Sequence, residues 1–189
     1  MFPALCSQIS LPRPPSDAIV ACGTFNGAKR VASSNDWRQI VASALDWEQA
    51  HASLWSSVDG LPAELRGKRP DGLAHSIWEL VEHIRITQRD LLDFCVKPDY
   101  HEPKWPDDYW PRTPAPPSDA AWAKSLEDIR RDGEALAEFT RNDSRDLTDK
   151  IPHGTGQTYL RTVLVAIDHT AYHVGQILDA RRLLGTWNR

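Results

Sequence analysis

Ser76-Ile77-Trp78-Glu79-Leu80-Val81-Glu82-His83-Ile84 carries its own helix start signal. Ser76 can cap the first turn while Glu79, three residues on, reaches back to the Ser76 amide, the reciprocal arrangement of a capping box. Ile77, Leu80, Val81, Ile84, Leu91 and Leu92 then recur at helical spacing and give this segment a buried side, and Pro98 limits its far end.

Three more segments have the same period. From Asn35 to about Val58, Ile40, Ala44, Trp47, Leu54 and Val58 fall on one face, and His51 completes that series. Ser118 or Asp119 caps a third helix through Trp122, Leu126, Ile129, Leu136 and Phe139, ending near Asn142. A last helix runs from about Gln157 to Leu184, apolar over much of its circumference, with Gly185 as its stop. No strand-like alternation separates them, so the expected fold is all-α, a four-helix bundle. Between the second and third helices, residues 98–117 hold seven prolines together with Trp105, Tyr109 and Trp110. A connection this long is a lid, or a brace whose aromatics pack over the helices.

Composition narrows the function classes. The chain has 189 residues, 41% hydrophobic and 25% charged, which suits a globular domain with a substantial core. Its 22 basic and 26 acidic side chains give a net charge of −4, the wrong sign for a nucleic-acid-binding face. No apolar run is long enough for a membrane span. Cys6, Cys22 and Cys95 make no paired framework and no CxxC motif, as expected of a reduced cytoplasmic protein. Residues 1–34, rich in Pro, Ser, Ala and Gly without helical period, read as a poorly packed N-terminal extension, and residues 35–189 as the bundle.

Chemistry concentrates in the histidines. His169 and His173, four apart in the last helix, project from adjacent turns of one face, and their neighbours turn that face towards the bundle interior. Such a pair can give two nitrogens to one metal ion, although the run His169-Thr170-Ala171-Tyr172-His173 lacks the glutamate of a metalloprotease helix. His83, flanked by the buried side of its helix, is placed to supply a third nitrogen. His51 is either a fourth ligand or site-lining base, or a hydrogen-bonded core residue. His75 reads as a surface turn residue, His101 falls in the Pro/Trp loop, and His153 lies in the turn Pro152-His153-Gly154 before the last helix, where it could overhang the bundle mouth. Asp36, Asp46, Glu48, Asp128 and Asp132 read as solvated helix charge. Gln176, one turn from His173, and Tyr172 or Asp168 are candidates to support the ligands.

The run from Ser76 to Ile84 and the later Asp168-His169-Thr170-Ala171-Tyr172-His173-Val174-Gly175-Gln176-Ile177 resemble the DinB-like (YfiT-like) superfamily of metalloenzymes. Trp105-Pro106-Asp107-Asp108-Tyr109-Trp110-Pro111 and Ile151-Pro152-His153-Gly154 resemble one branch of it, and the likeness covers about residues 35–187. The resemblance implies a four-helix bundle with a three-histidine metal site at His83, His169 and His173. It also implies a homodimer, many relatives being dimers. Characterised branches are transferases and isomerases that use low-molecular-weight thiols.

Three imidazoles leave a dication with its full charge and an open position, the layout of a catalytic site. Imidazole ligands favour zinc, nickel, iron or copper over magnesium or calcium. The leading expectation is therefore a divalent transition metal, zinc or nickel first and iron next. It would serve a transferase that moves an electrophilic group of a small-molecule substrate onto a metal-bound low-molecular-weight thiol. The alternatives are a hydrolase using bound hydroxide, or a non-catalytic metal-binding stress-response bundle. Nucleic acid and membrane are not expected partners.

Overall fold

The computed structural model describes residues 34–187. Of the expected N-terminal extension, residues 1–33 lie outside the described residues. The rest is helical: α1 (Ser34–Ala44), α2 (Leu54–Val58), α3 (Ile77–Val96), α4 (Asp119–Arg141) and α5 (Tyr159–Leu183), with a 3-10 turn at Ala63–Leu65. Among the described residues there is no strand; one isolated bridge pairs Lys150 with Thr158.

The capping box is present as expected. The Ser76 hydroxyl accepts from the Glu79 amide at 3.2 Å, and a Glu79 carboxylate oxygen accepts from the Ser76 amide at 2.8 Å. Arg69 also pairs with Glu79, fixing the position of this helix start. Ser118 caps α4, Thr158 caps α5, and Gly185 adopts φ +71° immediately after the last helix.

α3 is central, packing against both α4 and α5, while α1 packs on α4 and α2 on α5. Ile77, Val81, Ile84, Leu136, Val163 and Ile177 are fully buried where these helices meet. Cys95 is also buried, in a smaller cluster with Leu147, Ile151 and Tyr159, and burial pushes its thiol up to about 12.

The helix expected over 35–58 is two. α1 stops at Ala44, a turn and coil follow, and α2 begins at Leu54 behind its own cap, the Ser53 hydroxyl accepting from the Ser56 amide at 3.1 Å. Because the helical register is broken, the inferred face does not exist as one surface. Leu54 and Val58 are buried, but Ile40 is 59% exposed and Trp47 37%. Asp132 is also not solvated charge: it is 2% exposed and is paired with Arg131 and Arg89.

Two buried arginines tie short elements to long ones. Arg38 of α1 donates to the carbonyl of Thr140 in the last turn of α4 and to those of Asn142 and Arg145 beyond it. Arg181 of α5 donates to those of Ser57, Asp59 and Thr186. Each arginine satisfies helix-terminal carbonyls that would otherwise lack partners.

The 98–117 segment packs down on the helices. Ser76 Oγ donates to the Pro114 carbonyl, and Tyr109 is buried. Gly67 permits this approach, since a Cβ there would lie 2.2 Å from Ala115 Cβ and 2.7 Å from its Cα.

Candidate metal centre

α3 and α5 bring His83, His169 and His173 together. His169 Nε2 lies 3.0 Å from His83 Nε2 and 3.2 Å from His173 Nε2. His83 and His173 are buried and His169 partly so, and one nitrogen from each falls within 4.8 Å of the others. The i, i+4 spacing on α5 stacks two imidazoles on one face, and α3 presents the third from across the interface.

Two of the rings are held by their other nitrogen. His83 Nδ1 donates to the Tyr109 carbonyl at 2.7 Å, and His173 Nδ1 donates to Gln176 Oε1 at 2.6 Å. Both acceptors can only accept, so each Nδ1 carries the proton and each Nε2 of the neutral ring carries a lone pair. The Gln176 amide points its nitrogen to the Tyr172 hydroxyl at 3.3 Å, consistent with that assignment.

Electrostatics keep the rings neutral. Burial, with adjacent imidazoles adding to it, lowers His83 to about 4 and His169 to about 3, and burial also lowers His173. The Tyr109 and Gln176 hydrogen bonds oppose this only in part. At neutral pH three imidazoles therefore converge with at most one proton among three Nε2 atoms. A transition-metal cation fits that donor set, because neutral imidazole nitrogens are its ligands and outer hydrogen bonds of this kind set the ligating tautomer.

The Pro/Trp segment covers one side of the cluster. The Trp110 ring stacks on His83 with centroids 3.9 Å apart and on His75 at 4.0 Å, so the indole is held between two imidazoles. Trp105 stands 6.5 Å from the His83 ring and is 63% exposed; Tyr172, 5.0 Å from the His173 ring, is 64% exposed.

Other sequence-selected residues are elsewhere. His51 is exposed in the coil between α1 and α2, with Nδ1 2.8 Å from the Ala52 carbonyl, and is neither a core histidine nor part of the cluster. It lines a separate cavity of about 500 Å³ with Asp46, Gln88, Arg130, Glu134 and Val174, which none of the three clustered histidines touches. His153 does not overhang the site: Nε2 lies 2.9 Å from the Phe94 carbonyl and the ring packs edge-on to Phe94. Asp168 is exposed, whereas Gln176 and Tyr172 do reach His173 as described.

Two contributors escaped the sequence reading. His75, read as a surface turn residue, buttresses Trp110, and the Tyr109 backbone carbonyl orients His83. The first signal available was His75 being adjacent to a capping residue that anchors the loop; a backbone carbonyl leaves none.

No curated protein and no solved structure matches the chain. The DinB superfamily description matches residues 46–177, which include all three clustered histidines, and the chain belongs to that superfamily.

Proposed function

We propose that this protein is a metal-dependent enzyme of transferase type, in which His83, His169 and His173 hold zinc or nickel and a low-molecular-weight thiol accepts the transferred group. The observation that carries this reading is the convergence of three neutral imidazole nitrogens from two helices, with the Nδ1 protons of His83 and His173 bound to other acceptors. A dication on three neutral ligands supplies Lewis acidity at an open position, enough to make a thiol ionise near neutral pH.

The chain's own residues prepare the site. The Tyr109 carbonyl and Gln176 hold the ligating tautomers, and Trp110 excludes water from one face of His83. Trp105 and Tyr172 stand exposed beside the cluster and offer apolar surface to the body of a small substrate.

The test is a screen of zinc- and nickel-loaded protein against small thiols and electrophiles. Thiol-dependent turnover, lost in His83→Ala, His169→Ala and His173→Ala variants that retain their helical content, is the expected result. Full turnover in those variants would contradict the mechanism. Metal-dependent turnover without thiol would replace it by hydrolysis at the same ligands. A sharp fall in melting temperature on metal removal, with no turnover of any kind, would point to an ion that serves only the fold.

A further inference from the structure

The histidine ligands are oriented by groups that must themselves be held. Gln176 orients His173 from the next turn of the same helix, so α5 alone secures that contact. The acceptor for His83 is different, a backbone carbonyl in a long loop. Tyr109 is fixed at three points. Its N–H donates to the Pro106 carbonyl at 3.1 Å, its carbonyl accepts from His83, and its hydroxyl donates to Asp90 Oδ2 at 2.8 Å. Asp90 lies on α3 seven residues beyond His83, about 10.5 Å along the axis at the standard rise. The tyrosine therefore runs along the helix that bears the ligand, its carbonyl at the level of His83 and its hydroxyl about two turns further on. The other Asp90 oxygen accepts from the Tyr100 hydroxyl at 2.7 Å, so two loop tyrosines converge on one carboxylate.

We propose that Asp90 is a positioning residue for the histidine centre: through the Tyr109 hydroxyl it fixes the Tyr109 carbonyl, which holds His83 in the tautomer whose Nε2 faces His169. Its relevance to metal binding rests on the reading above. The link from Asp90 to the His83 tautomer is a property of the protein alone and is tested separately. Removing the Tyr109 hydroxyl leaves the carbonyl in place chemically but frees its position. His83 Nδ1 then loses a constant acceptor, and the tautomer with its proton on Nε2 becomes populated.

The measurement is the side-chain nitrogen NMR spectrum of His83 in metal-free protein, beside zinc affinity by chelator competition. Wild type should show one tautomer, protonated at Nδ1. Tyr109→Phe and Asp90→Leu, which keeps the branched shape but removes both acceptor oxygens, should show a second tautomer and bind zinc about tenfold more weakly, the low end for loss of an outer partner of a ligating histidine. Tyr100→Phe removes a bond to the same carboxylate and the side-chain contact of Tyr100 with Tyr109 but keeps the bond from Tyr109 to Asp90, and should leave the tautomer unchanged. An unaltered tautomer in both folded variants would overturn the proposal, as would an equal change in Tyr100→Phe. If wild type takes no zinc while the tautomer responds as expected, the metal reading fails and the positioning link stands.

Discussion

Arg181 and the His83–His169–His173 cluster are both polar centres in the helical interior, and they are completed in opposite ways. The Arg181 guanidinium places its terminal nitrogens on three carbonyls, so all but its buried Nε meet acceptors within the chain. The histidine cluster presents like to like. Three Nε2 atoms with at most one proton among them face one another at 3.0 and 3.2 Å along the two contacts that His169 makes. A buried polar group with acceptors in the protein holds a fold together; a cluster of imidazole nitrogens short of protons could instead hold a metal ion. The same helix, α5, carries both.

This contrast is open to test, beginning with the larger effect. Arg181→Ala strips donors from two carbonyls at the α2 end and one past the end of α5, and at 1–3 kcal/mol for a buried group left unsatisfied it should cost about 3 kcal/mol or more of stability. Chemical denaturation measures that loss, and metal stoichiometry of the folded fraction should not change. Loss of metal in this variant would erase the distinction between the two centres.

Gly67→Ala probes the seat of the loop that covers the histidines. The new methyl would meet Ala115 Cβ at 2.2 Å and backbone at 2.7 Å, so the loop must shift, at about 1–3 kcal/mol for overpacking. Thermal melts give the cost, and weakened quenching of tryptophan fluorescence would report Trp110 leaving His83.

Gln176→Ala acts on the histidine centre without touching the fold. Metal affinity should fall about tenfold, as outer partners of ligating histidines typically cost 10–100-fold. The melting temperature of metal-free protein should move little. A large melting shift with unchanged affinity would make Gln176 a structural residue only.

Acid titration probes the same histidines in metal-free protein. Folding lowers all three histidines below the ordinary value of 6.5, so the unfolded chain binds more protons once the pH drops below it. Stability should be full above about pH 6.5 and decline as pH falls towards 4, where His83 titrates in the folded state. Substituting His83 and His169 together should flatten that decline in a denaturation series against pH.

How much of this could be read beforehand depended on how local the cause was. α3 and α4 announced themselves because a cap and a periodic face coincided, at Ser76 with Glu79 and at Ser118. The α1–α2 region misled because periodicity continues through Trp47 and His51 although the helix does not. The discriminating signal was Ser53, a cap in the middle of the supposed helix. His169 and His173 were legible as a pair, since four residues along a helix fix their relation. Their meeting with His83, 86 positions away, was expected from the buried flanks of His83 and from the family resemblance, and the placement of α3 against α5 brings it about. The Trp110 stack, the Tyr109 carbonyl and the three carbonyls on Arg181 are contacts between distant segments, which no local pattern encodes.

The central claim is that the three histidines form a metal site, and the most direct test is the metal content of untagged protein by mass spectrometry, wild type beside His173→Ala. Wild type should carry close to one transition-metal ion per chain and the folded variant near none. Absence of metal from wild type even after reconstitution with zinc or nickel, or an unchanged content in the variant, would contradict the claim.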